Sequence, residues 1–363
     1  MNQSLIPDDL KFRIISEDRK YWFLRTYSGD LFNEFFHEDY VGIGLNNIPI
    51  DLIKNAHQVT LKKEKEERTG FLTLRKYIEN NSSYEGGECT KWANQVVSFY
   101  HEIKPGDIII IPSKNSFELA IGEVLQDMYV VDDDRHFIFK ETHEPYPQKR
   151  RKVNWLLKKR RSKFEGDLAR IFNGRAAVTN IDYLQEAIES HISSLFLIGD
   201  IGHVVIRIKQ DQSINAFQFN KFLSSLTYFY HEVCKENGVE INEDLFIKIK
   251  VQSKGKMALS GTFKVGILSL AFIFAFSDNP TLELDLGEYE FKASGDGPFQ
   301  TLTNFLNASQ ERKIKMIELI DARKSIMADT TIDNDLPNNE LIDQNDLNNN
   351  AAENIEENGI GEQ

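Results

Sequence analysis

Between positions 149 and 163 the chain carries Lys149, Arg150, Arg151, Lys152, Lys158, Lys159, Arg160, Arg161 and Lys163, with no acidic residue among them. Such a segment is suited to a polyanion. Each phosphate neutralised releases condensed counterions, so the segment should bind a nucleic-acid backbone with an affinity that falls as salt rises. A solvated edge strand accounts for a few lysines, because charge blocks edge-to-edge pairing, but not for nine cations. In the strand this segment should form, Val153, Trp155 and Leu157 share one face while Asn154 and Lys158 point the other way. A competing partner lies in the chain itself. Positions 329–363 hold ten acidic residues and no Lys or Arg, enough to mask the patch when nucleic acid is absent.

Other chemistries find little support. Cys89 and Cys234 are far apart and form neither a disulfide framework nor a zinc signature. Residues 255–261 lack the phosphate-loop pattern, and no Gly-x-Gly-x-x-Gly opens a helix after a strand. The eight histidines include no His-x-x-x-His pair, and a Gly-x-Ser-x-Gly elbow is absent. These patterns favour a binding protein over an enzyme and imply neither a metal nor a cofactor.

The elements that must position the basic segment follow from composition and periodicity. With 363 residues, 41% of them hydrophobic, the chain has room for two ordinary domains. Its net charge of −13 is concentrated in the tail, which leaves the body nearly neutral. The start, MNQSLIPDDLKF, lacks the basic and apolar runs of a signal peptide, and the longest apolar run, residues 265–276, is shorter than the roughly twenty residues of a membrane span. A cytoplasmic protein with no membrane partner is expected. Strands are expected at 21–26, 40–43, 108–111, 117–124 and 136–142. Residues 32–36, 61–68 and 71–79 have helical spacing, residues 80–88 form a loop, and Thr90 caps a helix over 90–103. A second unit opens with a helix over 181–197. It continues as a strand at 203–209, a helix over 215–236 and a strand at 245–252, a crossover that allows two parallel strands. A strand at 281–292 and a helix over 299–324 close it.

The run KPGDIIIIPSKNSFELAIGEV, residues 104–124, carries the most information about the fold. Pro105-Gly106-Asp107 is a tight turn, and four consecutive isoleucines imply a strand buried on both faces, as in a small barrel. Ahead of it stand Tyr21-Trp22-Phe23-Leu24-Arg25, then Tyr40-Val41-Gly42-Ile43-Gly44, then the helical run 94–103; behind it stands Arg150-Arg151-Lys152-Val153-Asn154-Trp155. In this order and spacing residues 20–160 resemble the EVE-type, PUA-like reader domain of Mrr-type restriction proteins. The resemblance implies a nucleic-acid reader of bacterial restriction or antiviral defence that senses foreign or modified DNA, DNA rather than RNA. It also implies a nuclease or ATPase partner. Such readers stack a base on aromatic rings and read its edge with amides. Matched to that pattern, the base pocket would be formed by Trp22, Arg25, Gly42, Gly44, Trp92, Asn94, Gln95 and Ser113, with Gln95 in the family's position twelve residues before the turn Asp107.

Mrr-type nucleases also carry a carboxylate followed by Glu-x-Lys, which holds a divalent metal and positions water. The nearest match here is Asp278 or Asp285 with Glu290 and Lys292, but strict alternation across 281–292 is also what an ordinary half-buried strand shows. The alternatives to a reader are thus a metal-dependent nuclease at these residues and a membrane-directed effector using 257–276. The resulting expectation is an α+β protein: an EVE/PUA-like barrel over 1–178, a second α+β coupling or oligomerisation domain over 181–326, and a disordered acidic tail over 327–363. The tail is too poor in apolar residues to offset the entropy of ordering it.

Overall fold

The computed structural model describes residues 13–56, 65–164, 168, 171–172, 176–199, 201–208, 213–236, 238, 245–250, 256–261 and 305–329. The run 265–276, Asp278, Asp285, Glu290, Lys292 and the acidic tail beyond Asp329 lie outside the described residues.

The first part of the chain contributes strands β1 (Arg13–Ile15), β2 (Tyr21–Leu24), β3 (Tyr40–Ile43), β4 (Ile108–Pro112), β5 (Glu118–Val124), β6 (Tyr129–Val130), β7 (His136–Phe139), β8 (Thr142–Pro145), β9 (Lys149–Arg160) and β10 (Val178–Asn180), with helices α1 (Phe32–His37), α2 (Ile50–Lys54), α3 (Lys65–Asn81) and α4 (Gly87–Val97). Seven of these strands form one sheet, ordered β10-β2-β4-β5-β9-β3 with β6 also on β9, that curls into a half-barrel. β2 and β4 run parallel; the other pairings are antiparallel. All four isoleucines of β4 are fully buried. Ile109 and Ile111 enter one core with Trp22, Phe35 and Val96, whereas Ile108 and Ile110 enter another with Tyr21, Phe23 and Ile188.

Three local expectations change. Strand β9 slips register against β5, with Ile121 opposite Leu157 and Gly122 opposite Trp155. The extra residue is a bulge that reverses the alternation. Val153 and Trp155 therefore face one core and Leu157 the other, while Lys158 lies over the Phe36 ring on the side of Trp155. Helix α3 runs to Asn81 and α4 starts at Gly87, so the loop is shorter than 80–88; Thr90 lies inside α4, its Oγ1 accepting from Arg75 Nε at 3.0 Å rather than capping. The strand expected at 136–142 is a separate hairpin, β7–β8, turning at Lys140 and Glu141.

The second sheet contains β11 (Leu195–Ile198), β12 (Ile201–Ile208), β13 (Leu245–Lys250), β14 (Lys256–Gly261) and β15 (Ala328–Asp329), and it also takes in β1, which pairs parallel with β11. β12 and β13 do run parallel to each other, but β14 lies between them and pairs antiparallel with both. Helices α6 (Ala216–Glu236) and α7 (Gln310–Ile326) cover this sheet, burying Phe222, Phe229, Leu319 and Ile320 against Val204, Ile206 and Met257. The helix expected over 181–197 is only α5 (Gln185–Ile192), because the chain turns extended at Ser193 and enters β11. Helix α5 is a wedge between the two sheets. Ile188 joins the second core of the half-barrel, and on the other side the Ser190 carbonyl accepts from Arg207 Nη2 of β12 at 2.7 Å. Among the described residues no helix is long and apolar enough to cross a membrane.

Candidate functional site

A cavity of about 720 Å³ opens where the end of β2, the loop after β3, helix α4, the start of β10 and the β7–β8 hairpin meet. Four aromatic side chains line it: Tyr27, Tyr84, Trp92 and Phe139. Tyr84 and Trp92 lie with ring centroids 5.3 Å apart and planes at 30°, and Tyr27 meets Phe139 edge-on at 5.6 Å. Arg25, Lys91 and Lys140 bring positive charge to the wall, and Glu144 is the one carboxylate among the lining residues.

Close backbone approach shapes this wall. A Cβ on Gly44 would lie 2.4 Å from the Tyr27 hydroxyl and one on Gly42 would lie 2.7 Å from Pro147 Cβ, so a side chain at either position would displace its neighbour. Tyr27, Ser28, Leu45 and Lys140 all have left-handed φ values, between 49° and 61°, although none is glycine. Such conformations cost energy and persist only where surrounding structure enforces them, and here they gather around one cavity. Burial, with Tyr84 and Glu144 adding to it, pushes the Tyr27 phenol well above its ordinary pKa. Burial, Glu144 and Glu88 push Tyr84 the same way. Both phenols therefore keep their protons at neutral pH and can donate hydrogen bonds.

Of the residues matched to a base pocket, Arg25, Gly42, Gly44, Trp92 and Gln95 line this cavity. Gln95 lines it with its amide oxygen already engaged, accepting the backbone N–H groups of Ala177 and Val178, while Nε2 donates to the Lys91 carbonyl at 3.2 Å. Trp22 is not among the lining residues. It is buried in the core, and its indole Nε1 donates to Asp107 Oδ2 at 3.0 Å. The same carboxylate accepts from the backbone N–H groups of Lys20 and Lys104, so Asp107 binds the turn to β2. Asn94 is half-buried on α4 outside the lining, and Ser113 closes the β4–β5 turn, its Oγ accepting from Glu118 N at 2.8 Å. Tyr27, Tyr84, Phe139, Lys91, Lys140 and Glu144 were not anticipated. Lys91 lies on α4 beside Trp92, and the others come from loops and a hairpin whose placement over the sheet no local pattern encodes.

The basic segment divides in two. Lys149, Arg150 and Arg151 are buried. Lys149 Nζ donates to the Leu45 and Asn46 carbonyls at 2.8 and 3.1 Å, and desolvation pulls its pKa down to about 8. Arg150 stacks on Tyr40 and pairs with Asp133. Arg151 donates to the carbonyls of Phe99 and Tyr100, in the helical turn Ser98–Glu102 that follows α4, and of Gln126, and burial lowers its pKa to about 10. Lys159 is buried, and Lys158 is half-buried 3.6 Å from Glu118. These side chains hold the barrel together instead of presenting charge, because β9 is flanked by β3 and β6 over 149–152 and by β5 beyond, and consecutive residues are covered on both faces of the strand. Lys152, Arg160, Arg161 and Lys163 remain exposed. Arg161 stacks on Phe172 at 4.1 Å, and the Phe172 carbonyl accepts from Arg25 Nη2 at 3.2 Å, so the exposed end of β9 is linked to the cavity wall.

Among the described residues no group of three or more His, Cys, Asp or Glu side chains is arranged to hold a metal ion. Residues 21–169 match a family model described as a domain of unknown function, DUF8426; the match covers the half-barrel's strands except β10, and under half of the chain. No curated protein and no solved structure matches this chain.

Proposed function

We propose that this chain is a nucleic-acid recognition protein that holds one extruded DNA base in the cavity beside Trp92. The observation that carries this reading is the combination of about 720 Å³ of space with the rings of Tyr27, Tyr84, Trp92 and Phe139 and the cations Arg25, Lys91 and Lys140 in one wall. That volume lies within the range of small-molecule sites. Aromatic faces accept any base by stacking, phenol and carboxylate groups offer donors and acceptors to its edge, and the cations suit flanking phosphates.

In this reading the half-barrel is an EVE-type, PUA-like domain, and the resemblance to readers of Mrr-type restriction proteins makes restriction or antiviral defence its setting. Cleavage then belongs to a nuclease or ATPase partner, and the α6–α7 sheet unit serves coupling or self-association.

The test is fluorescence anisotropy of the full chain with labelled single-stranded DNA. Trp92→Ala and Tyr84→Ala should each weaken binding by about tenfold to a hundredfold, the equivalent of roughly 1–3 kcal/mol per stacked base, measured at a temperature where each variant's melting curve shows it folded, since both rings also pack on the core. Affinity unchanged in both variants would end the reading.

A further inference from the structure

Phe117, at the end of the loop between β4 and β5, is 61% exposed. A lone exposed apolar side chain is ordinary on a protein surface. This one has a particular setting. Its loop is a built turn: Ser113 N–H donates to the Glu118 carbonyl at 2.9 Å, Glu118 N–H returns to Ser113 Oγ, and Asn115 and Ser116 hold left-handed φ values of 55° and 54°. Cations lie beside it. The Arg160 guanidinium lies 5.6 Å from the Phe117 ring and Lys114 is exposed in the same loop, while the Arg161 backbone N–H, donating to the Phe117 carbonyl at 2.7 Å, fixes the loop to the end of β9. The loop also abuts the cavity rim. Thr26 Oγ1 donates to the Pro112 carbonyl at 2.5 Å, and Gly29 approaches the Lys114 backbone so closely that a Cβ there would lie 2.2 Å from it. Tyr27 and Ser28, between those two contacts, line the cavity.

We infer that Phe117 is a wedge that enters duplex DNA next to the base taken into the cavity; the inference rests on the base-holding reading of that cavity. A base leaving a duplex costs unstacking and leaves a gap, and an apolar side chain inserted between base steps offsets that cost. Arg160, beside the ring, and the exposed Lys114 of the same loop supply positive charge for the phosphates next to the inserted side chain. A single strand, whose bases are already unstacked, needs no wedge.

The two substrates therefore separate the wedge from the cavity. Full-length protein is titrated with the same sequence as a single strand and as a duplex. Phe117→Ala should weaken duplex binding by about tenfold and leave single-strand binding within about twofold, and Phe117→Leu should restore most of the duplex affinity. Equal loss on both substrates, or no loss on either, would overturn the wedge. Wild-type protein that binds single strands but no duplex overturns it too and leaves the cavity reading standing; wild-type protein that binds neither overturns both. Because Phe117 is mostly exposed, all three proteins should melt at the same temperature.

Discussion

Gln95 accepts the backbone N–H of Val178 at 3.3 Å with the same oxygen that accepts from Ala177. The amide on α4 thus fastens the start of β10 to the helix, and it does so at the edge of the cavity, where an amide could also be thought to read a ligand. Gln95→Ala should therefore act on stability first. Two backbone donors lose their acceptor, at a cost of about 1–3 kcal/mol, visible as a lower midpoint in denaturant. The relative preference among bases should stay as it is, because the oxygen is not available to a base. A changed preference at unchanged stability would contradict the assignment.

The same residue shows what the sequence made legible and what it did not. Helical spacing over 90–103 indicated the helix that contains Gln95, and the four isoleucines of β4 indicated a strand buried on both faces; both follow from local pattern, whereas the helix's place near a pocket was implied only by the resemblance. Which partner an amide takes does not, since Ala177 and Val178 lie more than eighty positions away. Trp22 illustrates the same limit. Its ring was legible as large and apolar, but the Asp107 carboxylate that takes its N–H is fixed by the parallel pairing of β2 with β4. The bulge at Leu156 reverses the faces of β9, and no single-strand alternation rule includes that extra residue. The basic run was legible as charge, yet its division into inward and outward cations depends on which strands flank it.

That division separates two kinds of substitution within one segment. Replacing Arg160, Arg161 and Lys163 together by Gln should leave folding unaltered and reduce the salt dependence of DNA binding by up to about three phosphates' worth. Arg151→Met should do the reverse. It leaves the carbonyls of Phe99, Tyr100 and Gln126 without their donor and should cost about 2–4 kcal/mol of stability with the salt slope of the folded protein unchanged. Binding titrations at several salt concentrations, beside denaturant melts, distinguish the two. A salt slope insensitive to the triple replacement would remove the exposed end of β9 from the interface.

The two sheets are joined by charge as well as by α5. Arg13 and Arg19 each reach both Glu123 and the fully buried Glu189, at 3.0–3.4 Å, and Tyr21 donates its hydroxyl to Glu189 at 2.8 Å. Arg13 belongs to the second sheet and Glu123 to the first. Arg19→Ala leaves a buried carboxylate short of a cation, which should destabilise the protein by about 3 kcal/mol. Because the cluster spans both sheets, it should also split one unfolding transition into two. Calorimetry of Arg19→Ala that shows a single, unshifted transition would mean the cluster holds nothing together.

Lys149 gives the protein a pH dependence of definite sign. Only 2% of it is exposed, and burial holds its pKa at about 8 against an ordinary 10.5. Between those values the unfolded chain binds a proton that the folded chain does not, so stability rises with pH across this window, by at most roughly 3 kcal/mol. Tyr21, Tyr27 and Tyr40, whose phenols are raised chiefly by burial, act in the opposite direction, but only above their ordinary value of 10.0. The clean measurement is therefore the stability of wild type minus that of Lys149→Met between about pH 8 and about pH 10, which covers most of the window and stops where the tyrosines begin to contribute. That difference should grow in favour of wild type as pH rises. The replacement also frees the Leu45 and Asn46 carbonyls that Lys149 holds, and both residues line the cavity. Loosening them should weaken single-strand binding at every pH in the range, because the strained turn at Leu45 loses its anchor. A flat stability difference would show that Lys149 titrates as it does in water and that its burial is relieved by solvent.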